Sequence, residues 1–180
     1  MAGITMKPKD FITTVQRKVA FTAVGPSAVR GQGKGVLRTS QDFCSQIALG
    51  RVSKSSAKAY QLWLDHQTEL LLEVLPIKNR PWGAARKAIN LFLRDALYNK
   101  YLSRQFKLRS VEPWLEIPLD SAVAKGLNSR DHRGELPRWP GLKRLRPDIS
   151  EAFQVFASKR ATVKGVARVH LDMYLWLGNR

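Results

Sequence analysis

Cysteine is almost absent from this 180-residue chain, where Cys44 stands alone. A single cysteine excludes an intrachain disulfide framework and a cysteine-rich zinc site. Its expected role is that of a small buried hydrophobe. Histidine is scarce as well, with 3 in the chain. His66 has no second histidine at metal-ligand spacing and reads as a packed side chain. No metal or other cofactor is implied. No apolar run reaches the length of a membrane span, and Met1 to Asp10 lacks the apolar core of a signal peptide. The expectation is an intracellular, cytoplasmic protein with no membrane partner. Internal repeats are absent, and no segment alternates as a good strand would.

Acidic residues are also few, 14 Asp and Glu against 31 Lys and Arg, which leaves a net charge of +17. The economical partner for such an excess is a polyanion, and nucleic acid is the commonest one. The apolar content of 44% is ordinary for a globular chain. At this length one domain with a proper core is expected.

Helical periodicity covers most of the chain, so the expected fold class is all-α. Phe11, Ile12, Val15 and Val19 share one helical face. The segment from Val24 to Gly35 holds four glycines and a proline and cannot be a regular helix. It reads either as a flexible connector or as a glycine-rich loop bringing backbone N–H groups, Arg30 and Lys34 to phosphate, with Gln32 near a base edge. A short helix is expected from Ser40 to Leu49, capped by Ser40 and ended by Gly50. The next, about Ser56 to Leu75, has Ser53 or Ser55 as cap. Its expected core stripe is Ala59, Leu62, Trp63, Leu70, Leu71, Val74 and Leu75. Later helices are expected from Pro147, and from Val163 to Leu177. His170 and Asp172 lie two apart, cannot share a helical face, and read as structural.

The informative stretch runs from Pro81 to Leu127. Pro81 is placed to start a helix. In that helix Ala85, Ile89, Phe92, Leu93 and Ala96 recur on one face. Lys87, Asn90 and Arg94 share the opposite face. That face reads as solvated, or as a basic surface for DNA, flanked by Arg86 and by small Gly83 and Ala84 that would admit a duplex. From Tyr98 to Arg109 runs a basic segment, Lys100, Arg104, Lys107 and Arg109, with interleaved aromatics, suited to phosphate contacts or to a solvated helix end. Glu112 to Pro118 is a constrained linker. Asp120 then stands at a helix N-cap, either as a cap alone or as a functional carboxylate.

Pro81-Trp82-Gly83, the lysine-bearing helix, and Pro118-Leu119-Asp120-Ser121-Ala122-Val123 together resemble the signature of the helix-hairpin-helix (HhH-GPD) DNA glycosylase superfamily. In that family a glycine hairpin feeds a helix that can carry a lysine, and an essential aspartate follows some tens of residues later. Here 33 residues separate Lys87 from Asp120. That looks closest to the archaeal 8-oxoguanine glycosylase branch, and the chain also looks like the small anti-phage DNA glycosylases. Ser121 and Ala122 stand where the family has threonine and histidine.

The resemblance implies one all-α glycosylase domain over residues 1–180, with a helix-hairpin-helix-like element. Residues 1–35 would be a basic arm and glycine-rich loop, and 81–127 the active-site unit. It implies a DNA N-glycosylase that flips out and excises a modified base from double-stranded DNA, with a role in defence against phages carrying hypermodified DNA. No cofactor and no obligatory protein partner are implied, and DNA binding would associate the protein with the nucleoid. Asp120 would stabilise charge developing on the sugar. Lys87 would be either the nucleophile or a phosphate contact. Trp82, Trp114 and Trp139 would be the stacking wall of the base pocket. Arg30, Gln32, Lys34, Trp82, Gly83, Arg86, Asn90 and Arg94 would face DNA. The rival readings are a non-catalytic basic DNA-binding protein with a helix-hairpin-helix fold, and an RNA-associated basic protein.

Overall fold

The structure is a computed structural model that describes residues 7–52, 56–78 and 80–177. Among these residues all regular structure is helical. The α-helices are α1 (Pro8–Ala23), α2 (Val36–Gln46), α3 (Leu49–Val52), α4 (Ala57–Val74), α5 (Trp82–Tyr98), α6 (Lys100–Gln105), α7 (Ser121–Asn128), α8 (Pro147–Lys164) and α9 (Leu171–Leu177). No helix of the described residues is long and apolar enough to cross a membrane.

Helix α5 is the spine. It packs against α1, α2, α4 and α6 on one side, and against α8 and the 3-10 turn Leu142–Arg144 on the other. Twelve of its 17 residues are buried. Two apolar clusters result. The first gathers Tyr60, Leu64, Leu71, Ile89, Phe92 and Leu102. The second gathers Ile117, Leu119, Leu127, Phe153 and Leu171. Trp82 packs against both. Each fully buried large apolar side chain is worth about 1.5–3 kcal/mol. Cys44 is fully buried and sits against the Ala88 carbonyl of α5, as a small hydrophobe would.

The expected apolar face of α5 is the buried one, because Ala85, Ile89, Phe92, Leu93 and Ala96 all lie inside. The opposite face differs from expectation. Lys87 and Asn90 are buried too, beside Leu119 and Leu145 of the second cluster. Gly83 does not admit a duplex: a Cβ there would stand 2.5 Å from the Leu142 carbonyl and 2.7 Å from Leu145 Cβ. The glycine lets the 142–145 segment close onto the spine.

Other expectations shift as well. In α2, Gly35 rather than Ser40 precedes the first turn, and Ser40 lies buried within the helix. Gly50 lies inside α3. Ser56 caps α4, its side chain accepting from Ala59 N–H; the expected caps Ser53 and Ser55 lie outside the described residues. The buried stripe of α4 is Tyr60, Leu64, Thr68, Leu71 and Leu72, which leaves Leu62 and Val74 exposed. His66 is exposed rather than packed. The expected helix from Val163 is divided, because α8 ends at Gly165 in the left-handed conformation (φ 66) and α9 starts only at Leu171.

Candidate active site

Residues 115–119 form a buried strap between α5 and α8. Gln154 on α8 holds its middle: the side-chain amide donates to the Ile117 carbonyl (2.9 Å) and its oxygen accepts from Ile117 N–H (3.1 Å). Arg168 secures the start, donating to the carbonyls of Trp114 (2.9 Å) and Leu115 (3.2 Å). Pro118 limits the backbone further. The strap therefore delivers Glu116 and Asp120 to α5 in fixed positions.

Glu116 meets Arg86. The guanidinium donates through Nε (2.9 Å) and Nη2 (3.0 Å) to the two carboxylate oxygens. It also donates to Thr68 (2.9 Å) and Asp65 (2.7 Å), and its face lies 5.3 Å from the Trp82 ring. Asn90 donates to Glu116 at 2.8 Å. Burial opposes ionisation of Glu116, but the Arg86 charge and the hydrogen bonds from Arg86 and Asn90 outweigh it and hold the carboxyl below its ordinary value. The expected DNA contacts Arg86 and Asn90 are thus corrected. Both point inward, at 4% and 3% exposure, because a buried carboxylate demands them.

Asp120 meets Lys87. Its Oδ1 accepts from the N–H groups of Ala122 and Val123, each at 2.9 Å, the geometry of the expected N-cap. Its Oδ2 stands 3.2 Å from Lys87 Nζ. The two carboxylate oxygens have separate tasks, one closing the helix end and the other facing the amine. A pocket of about 360 Å³ opens over this pair. Lys87, Leu91 and Arg94 of α5 line one wall, Asp120 of the α7 cap and Asp172 of α9 line others, and Ala23 at the end of α1 contributes with Ser27.

Arg94 also lies in this wall, half-buried rather than free for DNA. Its Nε donates to Asp95 (2.7 Å) and its Nη1 to Asp172 Oδ2. Burial pushes the Asp172 carboxyl above its ordinary value, against the pull of the Arg94 charge. Asp172 Oδ1 is buried and has no hydrogen-bond partner among the described residues. The sequence reading missed Glu116 and Asp172 as site-forming acids. The available signal was a lone carboxylate inside an apolar run, Leu115-Glu116-Ile117 and Leu171-Asp172-Met173.

The expected aromatic wall is not assembled. Trp82 covers Arg86, Trp114 packs with Tyr60 at 6.3 Å, and Trp139 meets Phe153 edge-on at 5.4 Å. None of the three lines the pocket. Trp139 does come near it, its Nε1 donating to Ser121 Oγ at 3.3 Å, one residue from Asp120. In the glycine-rich loop Arg30 and Lys34 are exposed. Gln32 is half-buried, with its Oε1 enclosed and without a hydrogen-bond partner among the described residues. Gly33 and Gly35 take positive φ and pack tightly on Ile77 and Pro76. Among the described residues no group of three His, Cys, Asp or Glu side chains is placed to hold a metal ion.

No protein-family model matches the chain, and no curated protein or solved structure matches it either.

Proposed function

We propose that the protein is a DNA glycosylase that extrudes a modified base and cleaves its N-glycosidic bond, leaving an abasic site. The observation that carries the reading is the Lys87–Asp120 pair at 3.2 Å beneath a 360 Å³ pocket. That volume lies in the range of small-molecule sites, about 300–1,000 Å³. It suits one extruded nucleotide.

The chemistry follows from the two residue types. As the bond breaks, its electron pair leaves with the base and positive charge develops on the sugar. Asp120 Oδ2 stabilises that charge. Lys87 must lose a proton before its nitrogen attacks C1′, and Asp120 is close enough to accept it directly. The new C1′–N bond then gives a Schiff base after the sugar ring opens. With water as nucleophile, Asp120 takes the water proton and the sugar keeps a hydroxyl. The +17 charge supports DNA as the partner, with a place beside the nucleoid in the cytoplasm. Resemblance to the anti-phage glycosylases supports hypermodified phage DNA as the substrate. One observation favours a non-catalytic DNA-binding protein instead: Asp120 is a complete helix cap, and a cap needs no chemistry to explain it.

Mass spectrometry of bases released from normal and hypermodified phage DNA tests the proposal. Asp120→Asn is the control, since Asn caps a helix as well as Asp. The variant should fold and bind DNA, while release slows by roughly 10²–10³-fold, as for the loss of one electrostatic stabiliser. Release at an unchanged rate would make Asp120 a cap alone, and no release from any substrate would remove the enzyme.

A further inference from the structure

Asp172 has two oxygens with unlike surroundings. Arg94 occupies Oδ2, and Oδ1 is enclosed with no hydrogen-bond partner among the described residues; the residue is only 8% exposed and forms part of the pocket wall. A buried acceptor left unpaired is costly, and a site containing one discriminates strongly in favour of a ligand that supplies the donor. The position along α5 indicates which part of a ligand that is. Lys87, Leu91 and Arg94 follow one another on one face of the helix. Lys87 and Arg94 are two turns apart, about 10 Å at the helical rise. The pocket therefore has a polar end at Lys87–Asp120, an apolar bed at Leu91 and a second polar end at Arg94–Asp172. A nucleoside has the same order: sugar, flat apolar faces, hydrogen-bonding far edge.

We propose that Asp172 Oδ1 reads the far edge of the extruded base by accepting from its exocyclic amino group. The pocket then selects amino-bearing bases over keto analogues. This rests on the pocket being the seat of an extruded base. Cytosine-type and uracil-type nucleotides with the same 5-substituent make the sharpest comparison, because they differ in amino against keto at one carbon and in the protonation of the neighbouring ring nitrogen.

The test uses mismatched duplexes carrying one 2′-fluoroarabino nucleotide, either 5-hydroxymethylcytosine or 5-hydroxymethyluracil. The fluorine blocks cleavage, so fluorescence anisotropy reads binding without chemistry. The unmodified protein should bind the cytosine-type duplex about tenfold tighter or more, the effect of one hydrogen bond to a charged acceptor. In Asp172→Asn the amide oxygen stays on Arg94 and the NH₂ group takes the place of Oδ1. The preference should then vanish or turn toward the uracil type. Equal binding of the two duplexes by the unmodified protein, or an unaltered preference in a folded Asp172→Asn, overturns the proposal. The first of these decides even where the variant does not fold. Excision from natural-sugar duplexes is scored separately. Excision without a binding preference removes Asp172 as the reader and keeps the glycosylase; a preference without excision does the reverse.

Discussion

Lys87 Nζ and Asp120 Oδ2 lie 3.2 Å apart, yet their side chains are unequally exposed, 7% for the lysine and 37% for the aspartate. The amine is thus reached through the pocket and past the carboxylate. An attacking lysine and an ion-pairing lysine differ in what borohydride does. If Lys87 attacks the sugar, reduction of the Schiff base locks protein to DNA, and Lys87→Gln should abolish both trapping and excision. Excision retained in Lys87→Gln without trapping would give water the nucleophile's part.

Arg86 is a different kind of cation, although it adjoins Lys87 in the chain. Its pair with Glu116 is 5% exposed on both sides. Removing one partner strands the other charge in the interior, which costs about 3–5 kcal/mol. Arg86→Ala should therefore lower the melting temperature by roughly 6–20 °C for a chain of this size. Replacing both partners by apolar residues, Arg86→Met with Glu116→Leu, should recover much of that loss. A fully stable Arg86→Ala with weakened DNA binding would return Arg86 to the surface.

Glu116 also sets an acid limit. Its folded-state pKa lies below the ordinary 4.5, so the folded protein binds fewer protons there than the unfolded chain. The stability it contributes is complete above that ordinary value and is lost as pH falls through the depressed one. Urea midpoints should be level near neutrality and fall below about pH 4.5. Glu116→Gln should start less stable and show a shallower acid limb. An acid limb as steep as that of the unmodified protein would assign the effect to other carboxylates.

How much of this was legible depends on where the information lies. The N-cap at Asp120 is local: Pro118, Leu119 and Ser121 around it carry the signal, and the structure keeps it. The core face of α5 is local as well. The fate of its polar face is tertiary. Nothing in the period of residues 82–98 shows that Arg86, Lys87 and Arg94 would each meet an acid brought in from 116, 120 and 172. Helix α4 illustrates the same limit. A periodicity argument selects Leu62 and Val74, whereas the structure buries Thr68, which bonds Arg86. Gly165 breaks the helix expected from Val163, and the valines on either side of it preserve a helical spacing across the break, so periodicity alone runs through it.

One turn beyond Arg94, at the end of α5, Tyr98 lines a second concavity of about 520 Å³. Lys100, Arg104, Lys107 and Arg109 line it. The side chains of Arg104, Lys107 and Arg109 have no ion-pair or hydrogen-bond partner among the described residues. Tyr98 stacks on His170 at its edge, and its hydroxyl lies 2.9 Å from His170 Nδ1. Burial first, and then the nearby Asp172 carboxylate, push the Tyr98 phenol up to about 12, so it remains a donor at neutral pH. Unpaired cations cost little to bring to a phosphate backbone, because no internal pair has to break. DNA binding should weaken steeply with salt, and each cation that contacts a phosphate adds about 0.9 to the slope of log K against log salt. Arg104→Ala, Lys107→Ala and Arg109→Ala together should reduce that slope by roughly 2–3 with little change in melting temperature. Anisotropy titrations on duplex DNA across a range of salt measure it. An unchanged slope in the triple variant would mean that the strand follows another face of the protein, where exposed Arg30 and Lys34 are the next cations to remove.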